Sequence, residues 1–269
     1  MTVLITGAAA GLGQATARRF LEGGATVYAL DRVPADDLAG AIPLVADVTD
    51  TETLERLAQE LATAGVELDA VMSFAGIHRM ENFLEVADRD LEQVFDVNVL
   101  GPIRVNRAFF PLLKQGGTLL VTTSEVAPLD PLPFNGLYSV SKCALDAYTQ
   151  ALRQEAGLLG AQVVTLRPGS FSTALSASSI PSMEKMAEKS RYYGGNAPRF
   201  AALMTRFAGR FAHPDRLAER VWRLMRRRRK RCVVTVHPNL LLRLLALLPK
   251  RMQCRIVAAL IRTKSPKNP

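Results

Sequence analysis

Short apolar segments alternate with longer helical patterns along much of the chain, and this alternation constrains the fold more than any other feature of the sequence. Strands that alternate with helices form parallel β-α-β units with right-handed crossovers. Because the apolar segments are nearly continuous, both faces of the resulting sheet should be covered. The predicted strands are 2–6, 25–31, 42–47, 68–74, 117–124, 161–168 and 232–236, and the predicted helices lie near 12–23, 51–64, 88–114 and 138–159.

The pattern therefore predicts an α/β fold, a single Rossmann-type doubly wound parallel sheet of about seven strands, with helices on both faces and a C-terminal helical extension. With 269 residues, the chain is long enough for one large domain. We expect residues 1–237 to form that domain and residues 238–269 to form an apolar and basic extension. Residues 174–212 are rich in Ser, Gly and Met and have weak periodicity, which predicts a mobile lid with short helices.

The composition is that of a globular protein in a reducing compartment. Hydrophobic residues make up 48% of the chain and charged residues 22%, which is ordinary for a soluble domain. Cys143, Cys232 and Cys254 are scattered without the spacing of metal ligands, so we expect neither a metal site nor a disulfide framework. Apolar residues begin at Val3 with no basic segment before them, so we expect no signal peptide and a cytoplasmic location.

A glycine-rich turn joins the first predicted strand to the first predicted helix. Gly7, Gly11 and Gly13 follow G-x-x-x-G-x-G spacing, with Leu12 between the last two. A sharp strand-to-helix turn and a pyrophosphate that approaches the backbone both favour residues without Cβ. The N–H groups and the dipole at the start of the helix would then bind the anion. The turn predicts a dinucleotide site; the alternative is a glycine-rich turn with no ligand.

Two strand ends carry carboxylates that suit the adenosine part of a dinucleotide. Asp31 ends the second strand, where a carboxylate accepts hydrogen bonds from the adenosine ribose and repels a 2′-phosphate. It therefore favours NAD over NADP, and the adjacent Arg32 would soften that preference. Asp47 and Val48 follow the third strand and suit a contact with the adenine edge. The alternative for Asp31 is a plain turn residue at a strand end.

Tyr138 and Lys142 are one helical turn apart in the segment YSVSK. Side chains four residues apart share a helix face, so an ammonium there can act on a phenol. A free phenol has a pKa of about 10, which is high for proton transfer at neutral pH, and a nearby positive charge lowers it. Tyr and Lys also occur four apart on many solvated helix faces, so this pattern needs the support of other motifs.

Seven motifs in a fixed order give that support. With the β-α-β pattern, they make the chain resemble the short-chain dehydrogenase/reductase family over residues 2–173, nearly two thirds of the sequence. Each motif alone is weak, and their order is what makes the resemblance specific. The motifs are TGAAAGLG (6–13), DV (47–48), FAG (74–76), NVLG (98–101), TTS (122–124), YSVSK (138–142) and RPGSFST (167–173).

The resemblance implies a role for each catalytic candidate. Tyr138 would be the general acid/base, and Lys142 would lower its pKa and hold the nicotinamide ribose. Ser124, which we expect to end the fifth strand, would hydrogen-bond the substrate oxygen, with Thr123 as the second choice for this role. Asn98 would support a water that links the lysine to solvent. The hydride itself would belong to the cofactor.

The resemblance also implies cofactor contacts at two further strand ends. Ala75 and Gly76 follow the fourth strand, and Pro168 and Gly169 end the sixth strand where the nicotinamide should lie. Thr173 would bind the carboxamide.

Two features near the expected substrate pocket are unusual. Ser73 and Phe74 stand where the family usually has two asparagines that tie neighbouring strands together, which puts local rigidity in doubt. Residues 125–137 contain three prolines and border the pocket. We expect Glu125, beside Ser124, to be a solvated carboxylate at the strand end; the alternative is a contact with substrate.

The C-terminal third is first basic and then apolar. Much of the net charge of +9 lies after residue 220, and residues 226–231 are six consecutive basic side chains. This run fits a solvated helix end or an anionic membrane contact; no aromatic residues alternate with it, so no nucleic acid is expected. Residues 238–264 are leucine-rich but too interrupted for a membrane span of about 20 residues. They would pack against the domain or a second subunit, or lie in a membrane interface.

These features predict an enzyme, an NAD(H)-dependent oxidoreductase that interconverts a secondary alcohol and a ketone on a lipophilic substrate. The lid and the tail resemble those of family members that act on steroids, retinoids or fatty-chain alcohols, which implies hydroxysteroid dehydrogenase-like chemistry in lipid metabolism. The resemblance also implies a homodimer or homotetramer, and the tail adds a peripheral membrane contact. The apolar lid residues are Leu175, Met183, Met186, Phe200, Leu203, Met204 and Phe207.

Three other functions compete with this interpretation. An NADPH-dependent carbonyl reductase is the nearest, and Asp31 disfavours it. A non-catalytic NAD(H)-sensing protein would contact another macromolecule through residues 226–231, and a membrane-surface scaffold would use the tail for location without turnover. The presence of Ser124, Tyr138 and Lys142 argues against the sensor because binding alone does not need all three.

Overall fold

The structure, a computed structural model, describes residues 1–177, 179–207 and 211–262; the side chains at 174, 180 and 205–207 are outside the description. The predicted lid includes 178 and 208–210, and the predicted extension includes 263–269, all of which lie outside the described residues. The side chain of Phe207, an expected lid residue, lies outside them too.

Seven parallel strands form one sheet within the described part of the chain, in the order β3-β2-β1-β4-β5-β6-β7. The chain begins at the centre with β1, runs to one edge, and returns to place β4 on the other side of β1. This reversal is the topological switch point at which doubly wound folds bind ligands. The predicted α/β architecture is confirmed. The strands are β1 (Thr2–Thr6), β2 (Thr26–Asp31), β3 (Ile42–Val45), β4 (Leu68–Ser73), β5 (Leu113–Thr122), β6 (Gln162–Pro168) and β7 (Val233–Val236).

Helices cover both faces of this sheet. On one face, Phe20 of α1 and Trp222 of α9 meet edge to face with ring centroids 5.1 Å apart and pack on the inner strands. On the other face, α2, α4 and α5 bury a second apolar cluster against β1, β4 and β5. The α-helices are α1 (Gly11–Glu22), α2 (Thr51–Thr63), α3 (Asp88–Phe95), α4 (Gly101–Phe109), α5 (Gly136–Leu158), α6 (Ala174–Ala177), α7 (Ser179–Lys189), α8 (Asn196–Phe207), α9 (Pro214–Met225), α10 (Leu240–Ala246) and α11 (Lys250–Ile261).

The long helix predicted near 88–114 is interrupted. A π-helical turn at Asp96–Leu100 separates α3 from α4, and a 3₁₀ turn at Phe110–Leu112 follows α4. A π-turn inserts one extra residue per turn and is frequent at functional sites. Here it contains Asn98, one of the predicted site residues.

The fifth strand also differs from its prediction of 117–124. It begins at Leu113, and its pairing with β4 shifts register between Leu68 and Ala70. Gly116, which precedes the predicted strand, and Gly117, its first predicted residue, both lie inside this irregular pairing. The strand ends at Thr122, so Ser124 lies two residues beyond it rather than at its last position.

The lid and the extension share a third apolar cluster. The lid forms α6, α7 and α8, and the extension forms α10 and α11. Ile261 of α11 packs with Phe200 of α8, Met183 of α7 and Phe134 of the loop before α5. This cluster lies beyond the carboxyl ends of the strands, and it joins the extension to the rim of the site.

Candidate active site

The glycine turn leaves no room for two additional side chains. Gly7 has φ of +67°, and a Cβ there would lie 2.7 Å from the backbone nitrogen of Ala75. A Cβ on Gly13 would lie 2.1 Å from the carbonyl oxygen of Gly7. Cβ atoms do not approach backbone atoms this closely, so the turn can close only with glycine at both positions. The turn thereby brings Gly7 against Ala75, the residue expected to contact the cofactor from the end of β4.

The start of α1 is suited to an anion. Its N-cap residue, Ala10, provides no side-chain hydrogen bond, and no acidic residue lies in the first turn. Gly11 adopts φ of +58°, and a Cβ there would lie 3.5 Å from the side chain of Thr173. Because no side chain caps the N–H groups at the start of this twelve-residue helix, these groups and the helix dipole favour a negative charge there. Gly11 and Leu12 therefore fit a dinucleotide pyrophosphate. Thr173, the predicted carboxamide contact, lies beside this helix start, and its role stays a prediction.

Asp31 lies between this turn and the surface. Its Oδ2 accepts a hydrogen bond from the backbone N–H of Ala9 at 3.0 Å, and its Oδ1 accepts one from the N–H of Arg32 at 2.8 Å. The Arg32 side chain is exposed. At the next strand end, Val48 is buried and the exposed Asp47 accepts hydrogen bonds from Thr49. The structure thus places a carboxylate beside the glycine turn, as a ribose contact requires.

Ser124, Tyr138 and Lys142 meet at the carboxyl end of the sheet. The side chain of Ser124 lies close enough to the Tyr138 hydroxyl to act against the rise of the Tyr138 pKa. Lys142 is buried, its Nζ lies 5.8 Å from the centroid of the Tyr138 ring, and it donates a hydrogen bond to the carbonyl oxygen of Thr122 at 3.2 Å. A Cβ on Gly76 would be 3.6 Å from the same Nζ. The structure therefore gathers four predicted site residues, Gly76, Ser124, Tyr138 and Lys142, from two separate strand ends and one helix.

Thr123 points away from this group. Its hydroxyl donates to Asp146 of α5 at 3.1 Å and approaches the carbonyl oxygen of Leu166 at 3.3 Å. Asp146 also holds Arg167 through two hydrogen bonds of 2.9 and 2.6 Å. The preference for Ser124 over Thr123 thus agrees with the geometry, because Thr123 is anchored in the interior.

Burial opposes charge on both members of the Tyr–Lys pair. Burial raises the pKa of Tyr138 to about 12, although the Ser124 hydrogen bond acts in the opposite direction. Burial also lowers the pKa of Lys142 to about 8. In the protein alone burial therefore dominates the pKa of Tyr138. That Lys142, together with an oxidised nicotinamide, lowers this pKa stays a prediction.

Asn98 lies in the π-turn, and hydrogen bonds of its side-chain amide hold it in place. Its Oδ1 accepts from the N–H of Ile77 at 2.8 Å, and its Nδ2 donates to the carbonyl of Ile77 at 2.9 Å and to Ser141 Oγ at 3.1 Å. Ser141 in turn donates to the carbonyl oxygen of Tyr138 at 2.7 Å. Asn98 therefore ties the segment after β4 to the helix that carries Tyr138. The sequence analysis did not identify Ser141, which lies within YSVSK.

His78 is a further residue of the site that the sequence analysis missed. Its ring stands edge to face against Tyr138 with centroids 4.5 Å apart. One ring nitrogen pairs with Asn135 Oδ1 at 2.8 Å and the other with Ser179 Oγ of the lid at 2.9 Å. Burial lowers the pKa of His78, which favours the neutral imidazole. The feature of the sequence that could have identified it is a histidine two residues after the FAG motif.

Glu125 is not the solvated carboxylate that the sequence suggested. It is only 7% exposed, and its Oε2 accepts a hydrogen bond from the backbone N–H of Asn239 at 2.5 Å. Burial is the main cause that raises its pKa, and Arg243 partly counteracts this. Its own N–H donates to the carbonyl of Pro168 at 2.8 Å. The carboxylate is therefore internal and connects the Ser124 loop to the start of the extension.

Position 169 has no room for a side chain because the chain segment after β7 passes close to it. A Cβ on it would lie 1.9 Å from the carbonyl oxygen of His237 and 3.1 Å from Glu125 Oε1. Its N–H donates to the carbonyl of Val236 at 2.9 Å. The Pro168–Gly169 segment therefore lies where the resemblance puts it, but what demands glycine here is the close approach of two backbones.

The replacement of asparagine by Ser73 leaves a polar atom unsatisfied. Ser73 is buried at the end of β4, and among the described residues its hydroxyl has no hydrogen-bond partner. Buried hydroxyls are normally paired. The finding agrees with the expectation that this strand end has lost a cross-strand tie.

A doubly wound sheet with a glycine-rich first turn, a carboxylate at the end of β2, and Ser124, Tyr138 and Lys142 together at the carboxyl end of the strands is the arrangement of a dinucleotide-dependent oxidoreductase. The sequence profile of the short chain dehydrogenase family matches residues 1–184. The chain belongs to the short-chain dehydrogenase family, which uses NAD or NADP.

Two relatives and one solved structure are similar to this chain over most of its length. A 1-hydroxy-2-glutathionyl-2-methyl-3-butene dehydrogenase from Rhodococcus sp. (strain AD45) is 31% identical over 80% of this chain and 96% of the relative. An NADPH-dependent 1-acyldihydroxyacetone phosphate reductase from Schizosaccharomyces pombe is 34% identical over 71% of this chain and 67% of the relative. The crystal structure of a short chain dehydrogenase from Burkholderia cenocepacia in complex with NADP superposes with a TM-score of 0.70, at 26% identity, over 87% of this chain and 95% of that one.

Proposed function

We propose that the protein is an NAD(H)-dependent oxidoreductase that interconverts a secondary alcohol and a ketone on a lipophilic substrate. The observation that carries the proposal is the grouping of Ser124, Tyr138 and Lys142: Ser124 and Lys142 are buried, and the Lys142 Nζ lies 5.8 Å from the centroid of the Tyr138 ring, one turn away on α5. Two hydroxyls that face one point can both bind the oxygen of a carbonyl or an alcohol. The bound cofactor supplies or accepts the hydride.

Tyr138 transfers the proton. In ketone reduction its hydroxyl donates a proton to the substrate oxygen, and in alcohol oxidation its phenolate removes one. Ser124 donates a hydrogen bond to that oxygen and, in its absence, to Tyr138, which favours the phenolate. Burial works against the phenolate, so a positive charge must approach Tyr138 during oxidation.

Lys142 provides part of that charge and binds ribose. Its Nζ reaches both the carbonyl of Thr122 and the space beside Gly76. Because burial lowers its pKa to about 8, it exchanges protons near neutral pH more readily than an exposed lysine. Asn98 lies against the same glycine, with its Oδ1 3.2 Å from the position of a Cβ on Gly76, and we assign it the support of the proton path from the lysine.

NAD is the proposed cofactor, on the strength of Asp31. Its carboxylate is fixed by the N–H groups of Ala9 and Arg32, so it cannot turn away from a 2′-phosphate without losing both bonds. The competing candidate is an NADPH-dependent carbonyl reductase. Two observations favour the NADPH-dependent reductase: the exposed Arg32 is adjacent to Asp31, and the Schizosaccharomyces relative is described as NADPH-dependent.

A lipophilic substrate fits the apolar cluster that borders the site. His78 connects Tyr138 to the lid through Ser179, and Met80, two residues further, lies in the cluster with lid methionines. The lid packs on Phe134 as well, from the proline-rich segment. The acyl group in the name of the Schizosaccharomyces relative agrees with this choice.

We also propose a homodimer or homotetramer. The contact would use the outer faces of the helices between 88 and 114 and of α5, which present exposed side chains such as Leu100, Val140 and Leu158. A steroid-like molecule and a long-chain alcohol are both compatible with the site. Residues 1–237 would form the catalytic domain of each subunit, as the sequence predicts.

The test is the formation of NADH from NAD⁺ with a panel of lipophilic secondary alcohols, steroids included, with NADP⁺ in parallel. We expect Tyr138→Phe to lower kcat by about 10² to 10⁴ while NADH binding is retained. Tyr148→Phe is the matched control: it lies on the same helix, and its hydroxyl accepts from Asn106 at 3.1 Å, away from the site.

Each outcome of this test is informative. Turnover that Tyr138→Phe removes and Tyr148→Phe spares would support the proposed chemistry. Turnover unchanged in Tyr138→Phe would overturn the assignment of the acid/base. Tight NADH binding without turnover on any substrate of the panel would favour the NAD(H)-sensing function instead.

A further inference from the structure

Charge is distributed unequally along this chain. Residues 220–269 contain fifteen Lys and Arg and no Asp or Glu, so the first 219 residues hold the other 19 basic residues and all 25 acidic residues. The first part therefore has a net negative charge, and the last 50 residues alone are strongly positive. Such an asymmetry points to an anionic partner for the C-terminal part.

The extension also exposes apolar side chains in helical rows. Leu240 and Leu244 of α10 and Leu247, which caps its carboxyl end, are 68%, 53% and 80% exposed and recur at four- and three-residue intervals. No described residue of α10 is buried. An apolar row of this kind on the surface of a soluble protein marks a contact surface.

The second helix of the extension repeats the arrangement. Met252, Ile256 and Leu260 of α11 are all exposed and lie four residues apart. Arg251 and Arg255 precede two of them by one residue, so the guanidinium groups flank the apolar row. We call the six residues of the two rows, with Arg243, Arg251 and Arg255, the extension face.

We propose that the extension face docks on an anionic lipid surface. An amphipathic helix whose apolar row is flanked by arginines lies in the bilayer interface, where leucines enter the acyl boundary and cations meet lipid phosphates. Among the described residues, no helix is long and apolar enough to cross a membrane. Docking parallel to the surface is therefore the mode that the geometry supports.

A second copy of the chain fits the same face poorly. A two-fold dimer places identical patches against each other, so the arginines of one extension would face those of the other. Like charges brought together in this way oppose association. An anionic bilayer removes that repulsion.

The basic run at 226–231 is not part of the extension face. It leads into the amino end of β7, where the backbone of Arg228 accepts from Gln162 at the start of β6, whereas the extension leaves from the carboxyl end. The two regions are thus at opposite ends of the strand. This separation gives the experiment a matched control.

Docking would bring the membrane to the lid. Asn196 Nδ2 and Arg199 Nη1 of α8 donate to the carbonyls of Ile261 and Arg262, at 3.1 and 2.7 Å. The buried side of α11 joins the apolar cluster over the site through Val257 and Ile261. A lipophilic molecule that leaves the bilayer would therefore meet the lid first.

The test is co-sedimentation of the full chain with vesicles of phosphatidylcholine alone or with about 30% phosphatidylserine. We expect binding to the anionic vesicles that weakens as salt is raised. Leu240→Ser with Leu244→Ser and Leu247→Ser should weaken it about tenfold or more. Arg251→Gln with Arg255→Gln should weaken it by about tenfold, and Arg227→Gln with Arg228→Gln by much less.

The replaced side chains are exposed, so circular dichroism should show that all three variants fold. Absence of binding to anionic vesicles at low salt would overturn the proposal. So would binding that the Arg227 and Arg228 changes weaken as much as the extension changes do, or a leucine-dependent dimer in solution without vesicle binding. No substrate is present, so the result is independent of the proposed reaction.

Discussion

The two halves of the sheet hold their functional side chains in different ways. In the nucleotide half, β1 to β3, two essential contacts join residues close in the chain, Gly7 to Gly13 and Ala9 to Asp31, while Gly7 also packs against the distant Ala75. In the substrate half, β4 to β7 with the lid and extension, they span long distances: His78 to Ser179, and Glu125 to Asn239.

This difference implies different tolerance to substitution. The nucleotide half consists of backbone packed on backbone, where one added carbon has no space to occupy. The substrate half depends mainly on side-chain hydrogen bonds between separate segments, each of which contributes modestly and is replaceable in part. The exception is Gly169, where two backbones approach closely. Changes in the first half should therefore act in an all-or-none manner, and changes in the second half should be graded.

The largest effect is expected for Gly13→Ala. Its Cβ would lie 2.1 Å from the Gly7 carbonyl oxygen, so the turn must open. We expect the free energy of unfolding to fall by about 3 kcal/mol and NADH binding to be lost. The measurements are urea unfolding and titration of NADH fluorescence.

Gly157→Ala is the control for this prediction. It lies exposed in α5 with no atom within 4 Å of an added Cβ, and alanine there should stabilise the helix by up to about 1 kcal/mol. If Gly13→Ala binds NADH as well as Gly157→Ala does, the glycine turn is more tolerant than the geometry says, and the contrast between the halves is lost.

A smaller effect is expected for Asp31→Asn, which tests charge separately from geometry. Asparagine can still accept the N–H of Ala9 through its amide oxygen, but it no longer repels a 2′-phosphate. We expect the ratio of kcat/KM with NAD to that with NADP to fall by about tenfold, or about 1.4 kcal/mol. Asp31→Ala should change the ratio similarly and also lower both absolute values, because the Ala9 contact is lost. A ratio unchanged in both variants would contradict the assignment of NAD.

The sequence predicts the nucleotide half better than the substrate half for the same physical reason. The approximate positions of the strands and helices follow from local apolar periodicity, and the predicted parallel sheet of about seven strands and the family are confirmed. The glycine spacing is likewise a local signal. The roles assigned to Ser124, Tyr138 and Lys142 stay predictions, although the structure brings the three together.

Long-range contacts explain what the sequence does not predict. Nothing near Glu125 indicates that a backbone N–H 114 residues away will cover it, so the expectation of a solvated carboxylate was wrong. The π-turn at Asn98 is also invisible to helical periodicity, because the residues on both sides continue a helix. His78 acquires its position only when the lid and α5 close around it.

Glu125→Gln should give the smallest effect, and together with Glu125→Ala it tests whether the substrate half responds to substitution in a graded way. Its pKa is raised above the ordinary 4.5 by burial, so the folded state favours the protonated form. Stability should therefore decrease as pH rises from 4.5 through the raised pKa, where the buried charge appears. Glu125→Gln keeps an acceptor for the Asn239 N–H without the charge. At pH above the raised pKa of Glu125, the variant should therefore be as stable as the wild type or slightly more stable. Its stability should not show the pH dependence that Glu125 causes.

Glu125→Ala removes the acceptor and should destabilise the protein by about 1 to 3 kcal/mol, since the Asn239 N–H is then left buried without its carboxylate. Urea unfolding of the three proteins on both sides of this pH range separates the two contributions. If Glu125→Gln is instead as destabilising as Glu125→Ala, the negative charge itself is what stabilises the junction, and its attraction to Arg243 outweighs the cost of burial. In that case the substrate half would depend on a single buried charge rather than on replaceable hydrogen bonds, and its behaviour would approach the all-or-none response expected for the glycine turn.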